Sequence, residues 1–155
     1  MYFVLLVLHS LLRWLMLGSL CYAIYTAWRG VTQRRVFTEK ANAIRHWTTT
    51  ISHIQLVIGM AVYILSPLVN MKVTGIQVTS FPEYTFFKYV HISLMISAIV
   101  LITIGSAKAK RTTGDQEKYK VMLKWFLMAS VVLLIAIPWP FSPLAQRPWL
   151  RFFHI

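Results

Sequence analysis

The chain has 155 residues, 57% of them hydrophobic, and 16 Lys and Arg against 4 acidic residues give it a net charge of +12. Its apolar residues come in long runs rather than alternating patterns, which is a membrane-protein composition. The basic residues cluster beside those runs, so topology and anionic lipid headgroups explain the charge better than a nucleic-acid partner does. The single cysteine, Cys21, excludes an intrachain disulfide, and the absence of Cys-x-x-Cys-His excludes covalently attached haem.

In chain order, four spans are predicted at about 3–27, 47–68, 87–107 and 121–141, each able to cross a bilayer of about 30 Å at about 1.5 Å per residue. They predict an all-α fold, an integral membrane four-helix up-down bundle forming one domain over 1–155. The N-terminus has no basic n-region and no small-residue cleavage site, and it carries Arg13 within its apolar stretch, so it reads as a retained helix. Arg29 to Arg45 holds five basic residues and one acid, and Lys108 to Lys124 holds six and two, whereas Lys72 is the only basic residue in the loop 70–86. The positive-inside rule puts both basic loops in the cytoplasm and both termini outward. The tail 142–155 is then external, with Trp149, Phe152 and Phe153 along the headgroups.

The first span contains His9-Ser-Leu-Leu-Arg-Trp14. An imidazole and a guanidinium one turn apart inside hydrocarbon are expensive and read as functional when a partner can be named. Glu39, Glu83, Asp115 and Glu117 all fall in segments read as loops, so no carboxylate lies at the depth of Arg13. Arg13 reaches a loop carboxylate, bonds backbone carbonyls, snorkels, or meets an anion that the polypeptide does not supply. The last option points to a bound cofactor.

The second span carries Thr48-Thr49-Thr50, His53 and Gln55, the third carries Lys88 and His91, and the fourth ends in Ile137-Pro-Trp-Pro-Phe141. Counted from the span midpoints, His9 and His91 both lie about 9 Å outward of centre and His53 about 6 Å inward. The first and third helices of a sequential bundle are diagonal neighbours roughly 11 to 14 Å apart, a gap that suits a haem with an imidazole on each face. His9 and His91 are therefore candidate axial ligands of one haem b near the outer surface, and Arg13 and Lys88 are candidate partners of its propionates. Bis-imidazole ligation favours electron transfer over oxygen binding. Against this stand simple interhelical hydrogen bonding by each histidine, another metal, or a proton path. His53 with Gln55, Thr49 and Thr50 suits a quinone headgroup or proton transfer, or pairs with Met128 at a second haem. Interhelical hydrogen bonding serves His53 equally. His46 and His154 read as solvated.

On the blocks His9-Ser-Leu-Leu-Arg-Trp14, His53-Ile-Gln-Leu-Val-Ile-Gly-Met-Ala-Val-Tyr63, His91-Ile-Ser-Leu-Met-Ile-Ser-Ala-Ile-Val-Leu-Ile-Thr-Ile-Gly105 and Ile137-Pro-Trp-Pro-Phe141, the chain resembles a family of small four-helix bacterial membrane proteins carried under a cytochrome b-like label. The resemblance touches all four spans. It implies a haem b protein of the bacterial inner membrane, with His9, His53 and His91 as its candidate positions. The expected function is single-electron transfer, to or from quinol, alone or as a homo-oligomer or part of a larger membrane redox complex. No residue is assigned to catalysis. Two rivals stand beside it: a haem-free structural or assembly subunit of a larger membrane complex, and a small quinone-reactive enzyme that uses His53.

Overall fold

The computed structural model describes residues 1–70, 83–142, 145 and 147. The tail residues Trp149, Phe152, Phe153 and His154, and Lys72, lie outside them. The described residues form α1 (Tyr2–Thr32), α2 (Glu39–Leu65), a short α3 (Pro67–Asn70), α4 (Glu83–Thr85), a π-helical stretch (Phe86–His91), α5 (Ile92–Arg111) and α6 (Asp115–Ala136). The stretch from α4 through α5 is one continuous rod, Glu83–Arg111, and four helices are thus long and apolar enough to cross a membrane.

The helix ends depart from the predicted spans for local reasons. α2 begins at Glu39 rather than near 47, because Thr38 caps it by accepting the Ala41 N–H at 3.3 Å and Glu39 occupies its first turn. α2 ends at Leu65 ahead of Ser66-Pro67. α6 ends at Ala136 rather than 141, since Pro138 pushes Ile137 out of helical geometry, and Ile137 is extended at ψ 128°. The acids expected in loops sit in first helical turns, Glu39 on α2, Glu83 on α4 and Asp115 and Glu117 on α6, where the helix dipole favours negative charge.

α1 packs on α2 and α6, and α5 packs on the same two helices, so α1 and α5 stand across the bundle from one another. The buried faces are built of small and medium residues, among them Ala23, Ala27, Ala98, Ala109 and Ala129 around Met16, Leu20, Ile102, Met122, Phe126 and Leu133. Such residues let helix backbones approach closely where van der Waals contact, not water, drives association. Gly30 lies beneath the Tyr119 ring and Gly105 beneath Trp125, leaving no room for a methyl group at either position. The outward faces are apolar too, with Leu11, Leu15, Ile54, Val57, Val100, Val131, Leu134 and Ile135 all exposed, as expected where lipid is the solvent. Hydroxyls on these faces bond within their own helix: Thr26 to the Tyr22 carbonyl at 2.8 Å, Thr49 to Arg45 at 2.9 Å and Thr50 to His46 at 3.1 Å.

At the basic end the helices are tied by polar contacts. Gln116 Nε2 donates to the Gly30 and Arg35 carbonyls at 3.2 and 3.0 Å, and the Tyr119 hydroxyl donates to Val36 O at 3.2 Å. Arg45 is 5% exposed. Its Nη1 donates to the Ser106 carbonyl at 3.1 Å and to the Ser106 hydroxyl, while Nη2 and Nε donate to Asn42 Oδ1 at 2.8 and 3.2 Å. This fork joins α2 to α5. Arg45→Leu is expected to lower the unfolding free energy by about 1–3 kcal/mol, the usual range for stranding buried hydrogen-bond partners. Unfolding in detergent monitored by circular dichroism checks this, and an unshifted midpoint would contradict it.

Candidate functional site

At the opposite end from Arg45, α1, α2 and the Glu83–Arg111 rod enclose a cavity lined by His9, Gln55, Gly59, Tyr63, His91 and Met95 among others. Its enclosed space is about 140 Å³, smaller than the roughly 300–1,000 Å³ of most cofactor and small-molecule sites. Its remaining walls are mainly apolar, with Leu6, Leu56, Met60, Val62 and Ile99.

His91 reaches the cavity from the last residue of the π-helical stretch. A π-helical turn is wider than an α-turn and occurs frequently at functional sites. Here Tyr63 donates its hydroxyl to the Lys88 carbonyl within that turn at 3.3 Å. His91 Nδ1 lies 2.8 Å from the Ala136 carbonyl at the end of α6. A carbonyl only accepts, so Nδ1 carries the proton and Nε2 keeps its lone pair. The ring abuts both Phe86 and Phe87, with centroids at 5.8 and 5.6 Å, and those two rings meet each other at 5.1 Å.

His9 reaches the same cavity from α1. Gln55 Nε2 lies 3.0 Å from the His9 carbonyl and 3.2 Å from His9 Nδ1. The amide nitrogen donates to the carbonyl, and its second hydrogen falls to Nδ1, so Nδ1 accepts and the ring proton resides on Nε2. The facing edge of the ring rests on Gly59, where a Cβ would come within 3.0 Å of His9 Cε1. Gln55 is 5% exposed, and its Oε1 is buried without a hydrogen-bond partner.

The structure therefore brings His9, His91 and Gln55 together. Arg13 is not part of the lining. Its guanidinium sits over the Trp14 ring at 5.3 Å, within electrostatic reach of both His9 and His91. Trp14 in turn meets Trp139 edge-on at 6.3 Å, so the Pro-Trp-Pro segment folds against the turn that carries Arg13. Lys88 is held away from the cavity by Tyr84, to whose hydroxyl it donates, and lies over the Tyr84 ring at 4.7 Å and the Tyr89 ring at 5.9 Å.

His53 stands apart. It is exposed, and its Nε2 lies 2.9 Å from Thr103 Oγ1, which itself donates to Ile99 O at 2.7 Å, so His53 donates to Thr103. Met128 is also exposed, on α6, so the two do not face each other through the interior. Thr49, Thr50 and Gln55 do not join His53 either. His46 is exposed beside Trp47.

One charged residue of the cavity went unread in the sequence. Arg147 lines the cavity from the tail, paired in a fork with Glu83 at 2.9 and 2.7 Å and lying over the Phe87 ring at 5.0 Å. The pairing of a lone acid near 83 with a distant arginine leaves no periodic signal.

Among the described residues, no group of three or more His, Cys, Asp or Glu gathers as a donor cage for a bare metal ion. Two imidazoles, His9 and His91, do line the same cavity. No protein-family model, no curated protein and no solved structure matches the chain.

Proposed function

We propose that the chain is a multi-pass protein of the bacterial inner membrane, an up-down bundle with both termini outward, that holds one haem b non-covalently between His9 and His91 and passes single electrons. The observation that carries this reading is that two imidazoles from α1 and the Glu83–Arg111 rod line one mainly apolar cavity, one of them with its Nδ1–H already committed to the Ala136 carbonyl. That second bond is the arrangement that metal-ligating histidines make almost without exception, because it fixes the tautomer and raises ligand basicity.

When bound, the haem supplies a one-electron Fe(III)/Fe(II) couple. His91 presents Nε2 without rearrangement. The walls of Leu6, Met60, Met95 and Ile99 exclude water. Arg13, within electrostatic reach of both imidazoles, is the first candidate for a propionate, with Arg147 in the lining as the second. Lys88, clamped by tyrosines, serves better as an interfacial anchor. Quinol remains the proposed electron partner, as does assembly into a homo-oligomer or larger redox complex. With Gln55 bound to His9, however, the grouping of His53 with Gln55 has no shared face.

The test is the absorption spectrum and haem content of the detergent-purified protein. One low-spin haem b per chain is expected. A folded, colourless preparation that takes up no added haem would contradict the reading and favour a docking subunit.

A further inference from the structure

We infer that the groove between α1 and α6 holds one acyl chain of an anionic phospholipid, with the lipid phosphate at Arg29; this needs the membrane placement of the chain and is independent of haem. The groove has a volume of about 310 Å³ and is lined by Leu17, Cys21, Tyr25 and Trp28 of α1 and by Ser130 and Leu134 of α6, among others. Its walls suit hydrocarbon, because the Ser130 hydroxyl is already donated to the Leu127 carbonyl at 2.8 Å. Leu17 and Trp28 are eleven residues apart, which is about 16 Å of helix at about 1.5 Å per residue. That length matches the roughly 15 Å that one leaflet contributes to the hydrocarbon core.

The basic end of the groove is built for a headgroup. Trp28 and Tyr25 meet there with ring centroids 6.3 Å apart, as aromatic residues do at the membrane interface. The Arg29 guanidinium lies over the Tyr25 ring at 5.6 Å and donates to the Tyr25 hydroxyl at 3.2 Å and to Gln33 Oε1 at 3.3 Å. Both partners are neutral, and among the described residues no carboxylate pairs with Arg29. A guanidinium has five N–H donors and suits a phosphate. A second copy of the chain is a poorer cover. Copies inserted the same way bring their basic ends to one level, where Arg29 to Arg45 and Lys108 to Lys124 hold five and six basic residues against one and two acids, and like charges repel. An anionic lipid is attracted instead, by about fivefold in affinity for each basic side chain, or about 1 kcal/mol.

The experiment is native mass spectrometry of the detergent-purified chain with added phosphatidylglycerol or phosphatidylcholine of the same acyl length. The wild-type chain is expected to retain one phosphatidylglycerol, preferred over phosphatidylcholine by about fivefold. Arg29→Gln is expected to abolish the preference. Lys110→Gln, which removes an equal charge from the exposed last turn of α5, across the bundle from α1, is expected to keep it. Cys21 provides a reading that needs no variant, since it is the one thiol of the chain and lines the groove. Its alkylation by a lipid-soluble maleimide is expected to be slowed more by phosphatidylglycerol than by phosphatidylcholine.

Equal retention of the two lipids by the wild-type chain, or equal loss of preference in Arg29→Gln and Lys110→Gln, overturns the assignment of the phosphate to Arg29. Alkylation of Cys21 at one rate with either lipid overturns the groove as the place of the acyl chain. A disulfide between the Cys21 residues of two chains, formed on mild oxidation in membranes, shows that a second copy covers the groove and overturns the inference as well.

Discussion

Replacing His91 by alanine is expected to strip low-spin haem from the purified protein, and His9→Ala to leave at most a weakly held, high-spin form. The asymmetry follows from the site. His91 is held by the Ala136 carbonyl at 2.8 Å and by Phe86 and Phe87, so it is the better organised of the two proposed ligands, whereas His9 is held by the Gln55 amide. Losing a ligand outright is expected to exceed the roughly 10–100-fold that an outer-shell change costs. Haem-to-protein ratio and the reduced spectrum read the outcome. Full low-spin haem in both variants would remove the ligand assignment.

The second large effect is expected at Gly59. A Cβ there would lie 3.0 Å from His9 Cε1, and the branched side chain of Gly59→Val needs still more space, so the ring has to leave its place. Haem loss comparable to His9→Ala is expected, with destabilisation of about 1–3 kcal/mol from overpacking. Gly18→Val is the matched control, because an added Cβ at Gly18 meets nothing within 4 Å. Equal haem content in Gly59→Val and Gly18→Val would show that the position of the His9 ring is immaterial to binding.

The four helices were legible because lipid-length apolar runs have no other economical structure in a chain of this size. Their ends were less so. Thr38-Glu39 is a readable start signal for α2, yet Arg45 made the segment look like a solvated loop. What buries Arg45 is Ser106 on α5, a distant partner with no local signature. Proline at 138 was readable as a stop, although Ile137-Pro-Trp-Pro-Phe141 had been counted into the span.

The site was half legible. Depth counting put His9 and His91 at one level, and the cavity contains both. The grouping of Gln55 with His53 went astray for a reason available in the sequence: residues two apart on a helix point about 200° from one another. Gln55 faces His9, and His53 faces Thr103. The π-helical stretch Phe86–His91 and the Glu83–Arg147 pair were not legible, since the Lys88 carbonyl within that stretch meets Tyr63 of another helix and the ion pair joins two distant parts of the chain.

Electron paramagnetic resonance of the oxidised, haem-loaded wild-type protein addresses the pairing of His9 with His91 most directly. A low-spin ferric signal of bis-imidazole iron, one per chain, is the expected result. A high-spin signal, or a low-spin signal that survives in His9→Ala, would place the iron on other ligands and contradict a haem held between α1 and the Glu83–Arg111 rod.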